Sequence, residues 1–225
     1  MTLFAREPAA GRVKTRLARD VGEAAAAALY AAFLEDLAAA LPDPARWESV
    51  LAHAEPEAGP TLSRTFGPPA WSFVPQGEGS LGERLGRVFE WSRARGVDVV
   101  VAGSDAPTLS RDHLEAAFVA LEDGAEVVFA PSPDGGFSLI GARPGLARPG
   151  TGDFFEGVGW STAHALEDCR SAAERRGLRV QLLTPVPDVD EAEDLAAVSL
   201  SLSKNLSLAP STRRVLEAML QRRGP

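Results

Sequence analysis

Apolar and polar positions along the chain fall into short apolar runs that alternate with longer stretches of helical spacing. The first run, residues 2–5, leads into a loop containing Pro8, Gly11 and several basic residues, and then into a helix predicted over about residues 22–41. Glu35 and Asp36 interrupt its Ala-rich stretch, which marks it as a helix of a soluble domain. Short strands are expected at 49–53 and 71–75, with a turn-rich segment at 55–69. Residues 81–95 have amphipathic helical spacing through Leu81, Leu85, Val88, Phe89 and Trp91. Residues 97–102 are a nearly continuous β-branched run, as a strand buried on both faces requires. Ser110 is placed to cap a helix reaching about Glu122. Two further strands, 126–130 and 137–142, are joined by the turn Asp134-Gly135-Gly136. A helix near 161–176, a strand at 178–183, a helix from about Glu191, a polar loop at 199–207 and a basic helix at 210–223 complete the pattern.

Strands alternating with helices at this spacing predict an α/β fold with a mostly parallel sheet. In such sheets ligands lie beyond the carboxyl ends of the strands, so the residues that follow each strand are the ones to read for chemistry. The Gly- and Pro-rich stretch 143–153 is the segment expected to be most mobile. No internal repeat or strong linker divides the chain.

The 225 residues are 45% hydrophobic and 24% charged, a composition that suits a folded globular protein with a full core. The first residues carry no basic region followed by a long apolar one, so no secretory signal is expected, and a cytoplasmic location is. The single cysteine, Cys169, excludes an intramolecular disulfide and any multi-cysteine metal site. A net charge of −8 speaks against coating nucleic acid, yet leaves room for a small anion held by a few cations. The basic residues are two lysines, Lys14 and Lys204, against twenty-one arginines. A lysine kept at position 14 against that bias suits a site that needs a compact ammonium; drift at a surface position explains it as well.

Five segments could carry chemistry. Arg6, Arg12, Lys14 and Arg16 share the loop after the first strand, where backbone amides can also face an anion. This is either a phosphate cradle or a solvated basic turn. It is not a P-loop, because Val13 stands where that motif needs glycine. Gly77, Gly79 and Gly82 spell G-x-G-x-x-G before a helix, but after a later strand and without a well-placed ribose acid. A loop that frames a nucleobase or caps the helix fits better. Asp105 ends a buried strand and suits a divalent cation that bridges phosphates, or else caps the following turn. Asp134-Gly135-Gly136 permits close approach of backbone to a ligand, or is simply a hairpin. Asp188 and Asp190 precede a helix, where acidic residues also favour its dipole. His53, His113 and His164 have no metal-binding spacing, and Cys169 reads as a thiol on a helix.

Taken in order, the motifs F-A-R-x-P-x-x-G-x-V-K-T-R-L, G-E-G-S-L-G-E-R, G-S-D-A-P, P-D-G-G-F, W-S-T and D-V-D-x-x-E-D-L resemble the bacterial radical-SAM/selenodomain-associated transferases of the nucleotide-diphospho-sugar transferase superfamily. The resemblance spans about residues 3–200. It implies a single-domain GT-A fold, a Rossmann-like sheet flanked by helices, over 1–200, with residues 201–225 as an extension whose basic helix packs on or beside the domain. The opening loop is similar to the phosphate-gripping loop of nucleotidylyltransferases that make molybdopterin and phospholactate dinucleotides. By that similarity Lys14 and Arg16 hold the triphosphate and act in catalysis with Asp105, which binds Mg²⁺ or Mn²⁺. The same similarity implies Asp190 as the second metal ligand, with Asp188 as the other choice.

Nucleotide contacts are expected from Arg6, Gly11, Lys14, Arg16, Gln76, Gly79 and Ser80, and acceptor contacts from Gly135, Gly136, Trp160 and Ser161. The activity so implied is metal-dependent transfer of a nucleotidyl group from a nucleoside triphosphate to a small phosphorylated or sugar-like acceptor. Glycosyl transfer from a nucleotide sugar is the alternative, and a non-catalytic nucleotide-binding module the third. No nucleic acid or membrane partner is expected, and a homodimer is the assembly considered.

Overall fold

The computed structural model describes residues 1–144 and 154–222. A seven-stranded sheet runs in the order β3-β2-β1-β4-β6-β5-β7. Its strands are β1 (Thr2–Ala5), β2 (Val50–His53), β3 (Ser72–Pro75), β4 (Val99–Gly103), β5 (Val127–Pro131), β6 (Phe137–Ala142) and β7 (Val180–Leu182). All neighbouring pairs are parallel except those made by β6, which runs antiparallel to both β4 and β5. The helices are α1 (Ala18–Val21), α2 (Glu23–Ala40), α3 (Gly59–Leu62), α4 (Leu81–Arg95), α5 (Arg111–Glu122), α6 (Ala165–Arg175), α7 (Asp194–Lys204) and α8 (Pro210–Arg222).

The period-2 pattern of the central strands supplies two cores at once. In β4, Val100 and Ala102 enter a core with Leu29, Phe33, Leu34 and Leu37 of α2, while Val99 and Val101 enter a second with Leu85 and Phe89 of α4. In β5, Val128 and Ala130 face the first core and Val127 and Phe129 the second. The four α2 side chains are at most 1% exposed, and burying each contributes about 1.5–3 kcal/mol. These runs are continuous in sequence because neither face of the sheet meets water.

Several elements differ from the sequence expectation. The helix expected over 22–41 is α2, but a short helix that was not expected, α1, precedes it, and Gly22, at φ 85° and ψ 151°, separates the two. The helix expected from 161 begins only at Ala165, after a turn in which Thr162 Oγ1 donates to Gly159 O. The polar loop expected at 199–207 is helical through Lys204. Val198 and Leu202, four residues apart, are both buried, and the intervening Ser201 donates its hydroxyl back to Ala197 O at 3.1 Å. Helix α7 therefore runs across residue 200. Of the stretch 143–153, residues 145–153 lie outside the described residues, as does the end of the basic helix expected to reach 223.

Helix α8 packs on α2. Asp36, 5% exposed, caps it from inside α2: its two carboxylate oxygens accept from the Ser211 and Thr212 N–H groups, each at 2.8 Å. Among the described residues, no helix is long and apolar enough to cross a membrane.

Candidate active site

The chain lays β1, β2 and β3 outward on one side and then returns to place β4 beside β1. At this change of direction the loops after adjacent strands diverge and leave a crevice. A cleft of about 430 Å³ opens there, lined among others by Arg6, Arg12, Lys14, Arg16, Asp105 and Asp190.

The basic loop is fixed at both ends. Glu55 accepts from Arg6 Nε at 3.0 Å and from the Glu7 N–H at 3.1 Å. Burial pushes the Glu55 carboxyl up, but the Glu7 N–H and the Arg6 guanidinium outweigh it and hold it below its ordinary range. The Arg6 N–H donates to Tyr30 Oη at 3.0 Å, and that phenol lies 2.7 Å from Ser104 Oγ. Buried Val13 and Leu17 pin the far end of the loop in the core. Between them Lys14 takes a left-handed backbone, φ 49°, a conformation unusual for a long side chain and found where surrounding structure enforces it.

The Lys14 side chain is 4% exposed, and its ammonium pairs with Asp105 and, at 2.9 Å, with Asp190. Burial lowers the affinity of that ammonium for its proton, but the two carboxylates reverse the effect and hold it above the usual lysine range. Asp190 is pushed up by burial and pulled further down by Lys14 and Arg16, so its net position is below the carboxylate range. Arg16 reaches Asp190 Oδ2 at 2.6 Å and Glu191 Oε1 at 3.2 Å from an exposed position.

Backbone bonds bring the two carboxylates together. The Val189 N–H donates to Asp105 O at 2.9 Å, which lays the 188–190 segment along the end of β4. Asp194 Oδ2 then accepts from the Asp190 and Glu191 N–H groups, each at 2.8 Å, and fixes the turn into α7. In D-V-D-E-A-E-D-L the first Asp, Asp188, is half-buried. Burial and the nearby Asp134 raise its pKa to about 6.

The other expected residues are more dispersed. Gln76 is buried in the cleft wall: Nε2 donates to Ala52 O at 2.7 Å and to Ala5 O at 3.3 Å, and Oε1 accepts from Arg84 at 3.2 Å. Gly79 and Ser80 are not among the cleft-lining residues. They lie just before α4, which Ser80 caps: its hydroxyl and N–H bond Glu83 in a capping box. Gly11, at φ 74°, turns the basic loop and also lies off the cleft wall.

Gly135 meets the start of α6: the Leu166 N–H donates to its carbonyl at 3.1 Å, and a Cβ there would collide with the Ala163 carbonyl. Gly136 donates its N–H to Asp134 Oδ1 at 2.8 Å. Trp160 stands behind Phe137, ring centroids 6.3 Å apart, and of the two only Phe137 lines the cleft. Ser161 is exposed, at φ 61°.

Three contributors to the cleft were not singled out in the sequence: Tyr30, Ser104 and Arg84. Tyr30 carried a signal, being the chain's one tyrosine, set on the apolar face of a helix where its hydroxyl has to find a partner.

A divalent cation can be tested against this set. Two carboxylates already converge on one cation, the Lys14 ammonium, and no group of three His, Cys, Asp or Glu side chains among the described residues could hold a metal. A two-carboxylate site suits Mg²⁺ or Mn²⁺, which complete their shell with phosphate oxygens and water, and does not suit structural zinc.

The family model described as uncharacterized protein conserved in bacteria (DUF2064) matches residues 37–162. No curated protein matches the chain. Among solved structures, a candidate nucleotide-diphospho-sugar transferase from Desulfovibrio desulfuricans G20 is 28% identical over 98% of this chain and 96% of its own, with a TM-score of 0.84. A cytidylyltransferase from Leptospira borgpetersenii serovar Hardjo-bovis is 13% identical over 98% and 93%, with a TM-score of 0.55. CMP:2-keto-3-deoxy-manno-octonic acid synthetase, solved with CTP, is 14% identical over 90% and 97%, with a TM-score of 0.50. The fold is that of the nucleotide-diphospho-sugar transferases.

Proposed function

Since the chain belongs to the DUF2064 family of uncharacterized bacterial proteins, we propose its activity from the cleft itself: transfer of a nucleotidyl group from a nucleoside triphosphate to a small phosphorylated or sugar-like acceptor. The protein is an enzyme of the transferase kind, akin to nucleotidyl and nucleotide-sugar transferases. The observation that carries the finer reading is the buried Lys14 ammonium held between Asp105 and Asp190, with Arg6, Arg12 and Arg16 around it on one loop. That many cations on one loop suit a triphosphate better than a diphosphate.

In this reading an acceptor oxygen attacks the α-phosphorus, a new P–O bond forms, and the bond to the pyrophosphate leaving group breaks. The chain's task is to position the reactants and neutralise charge. A cation about 4 Å from a developing negative charge contributes about 4 kcal/mol at an effective dielectric near 20. Lys14 and Arg16 would face the phosphates, and the cleft is also lined by Gln76 and Arg84 and by the apolar Phe4, Leu81 and Leu85, which would offer a surface for a base. Asp105 and Asp190 would hold Mg²⁺ or Mn²⁺, which when bound neutralises and orients phosphate oxygens. The hairpin of Gly135 and Gly136, with Trp160 and Ser161 beyond Phe137, is the side from which the acceptor enters.

Thermal denaturation with a panel of nucleoside triphosphates and nucleotide sugars, with and without Mg²⁺, tests the reading on wild type and Asp105→Asn. A ligand at about 100 times its Kd stabilises by about 2.7 kcal/mol, a shift of several degrees for a domain of this size. The expected result is an Mg²⁺-dependent shift with one triphosphate that Asp105→Asn abolishes, followed by release of pyrophosphate. The similarity to a candidate nucleotide-diphospho-sugar transferase favours glycosyl transfer as the second reading. A shift with a nucleotide sugar alone and release of a nucleoside diphosphate would select it.

A further inference from the structure

We propose that Lys14 is a built-in counter-ion of the Asp105–Asp190 pair that a divalent cation has to displace, so that metal enters this site with the triphosphate and not ahead of it. The inference rests on the reading of Asp105 and Asp190 as metal ligands. The ammonium already answers both carboxylates, and Arg16 holds the second oxygen of Asp190 at 2.6 Å. A cation arriving alone competes with a tethered charge whose local concentration is fixed by the loop. It would also strand that charge: the Lys14 side chain is 4% exposed, with the Tyr30 ring as its floor, centroid 5.9 Å from Nζ. A buried ammonium without a carboxylate is costly.

A triphosphate changes this balance, because its oxygens offer Lys14 a new partner as the carboxylates are released to the metal. Binding of each ligand then raises the affinity for the other by the same factor. The left-handed backbone of Lys14, held by buried Val13 on one side and by the bond of the Ala18 N–H to Lys14 O on the other, keeps the ammonium at the carboxylates before any ligand arrives.

The test is Mn²⁺ binding, without nucleotide, by equilibrium dialysis on wild type, Lys14→Met, Lys14→Arg and Lys14→Met/Asp105→Asn. Removing the charge should tighten Mn²⁺ binding at least tenfold, keeping it as arginine should not, and the added Asp105→Asn should erase the gain. Equal or weaker binding by Lys14→Met, with Asp105→Asn still harmful, overturns the displacement and leaves the metal reading standing. Failure of every variant to retain Mn²⁺, even when α,β-methylene analogues of ATP, GTP, CTP and UTP are added in turn, removes the metal reading and this inference together.

Wild type gives an independent readout, since its two lysines yield two side-chain signals in lysine-labelled protein, with exposed Lys204 as the internal control. Mg²⁺ plus a triphosphate analogue should shift Lys14 and leave Lys204 in place, while Mg²⁺ alone moves neither. A Lys14 signal that Mg²⁺ alone shifts fully, or that does not respond to both ligands, overturns the proposal.

Discussion

The phenol oxygen of Tyr30 lies 2.7 Å from the hydroxyl oxygen of Ser104, one residue before Asp105, and accepts from the N–H of Arg6 at 3.0 Å. One side chain of α2 thus joins the start of the basic loop to the end of β4. Its proton is held far more tightly than a tyrosine's ordinarily is, chiefly because it is buried and secondly because Asp105 is near. Tyr30→Phe leaves the Arg6 N–H without its acceptor and should cost about 1–3 kcal/mol in urea unfolding. In a double-mutant cycle with Ser104→Ala the losses should be less than additive, because both changes break one network.

Gly135 and Gly136 are adjacent yet should respond very differently to alanine. A Cβ at 135 runs into the Ala163 backbone, which cannot yield without moving the start of α6, and the φ of 88° disfavours any side chain. At 136 the nearest atom is a side-chain oxygen of Asp134, 3.1 Å away. Gly135→Ala should lower the melting temperature by several degrees more than Gly136→Ala, and two similar values would show that the hairpin is not seated on α6 as described.

A pH dependence follows from His113. Its Nδ1 accepts the Ser110 N–H at 3.1 Å at the start of α5, which requires the neutral ring, and burial lowers its affinity for a proton below the ordinary histidine value. The unfolded chain therefore binds a proton more readily than the folded one. The stabilisation is complete above an unfolded pKa of about 6.5 and is lost as the pH falls from there toward the lower folded value. His113→Gln, which keeps an acceptor that cannot be protonated, should flatten this part of the stability–pH curve in denaturant titrations.

Arg16 separates binding from stability. Its side chain is 53% exposed, so the pair with Asp190 should contribute less than about 1 kcal/mol to folding. Arg16→Ala should leave the melting temperature nearly unchanged and weaken the nucleotide that passes the thermal-shift screen by about tenfold, an effect that shrinks with added salt. Unchanged affinity would take Arg16 out of the phosphate contacts.

The sheet was readable because a strand buried on both faces must be apolar at every position, and Val99–Ala102 and Val127–Ala130 are. Helix α7 was obscured by alternating leucine and serine, which masks the four-residue spacing of Val198 and Leu202. Lys14, Arg16, Asp105 and Asp190 could be picked out singly, since each follows a strand end. That one ammonium joins two of the acids depends on the bond between Val189 N–H and Asp105 O, which no local pattern announces. Ser80 illustrates a local rule prevailing: with Glu83 three residues on, the start of a helix was written there, and the structure uses the pair for that.

Asp36 imposes an order of assembly. Its carboxylate, set in a helix that begins at Glu23, finds both its N–H partners only at Ser211 and Thr212. A nascent chain still short of those residues has to keep this charge hydrated, and with it the flank of α2 that α8 will cover. The flank of α2 that carries Asp36 thus closes on its polar partners only when residues 175 and 176 positions further along the chain have joined it.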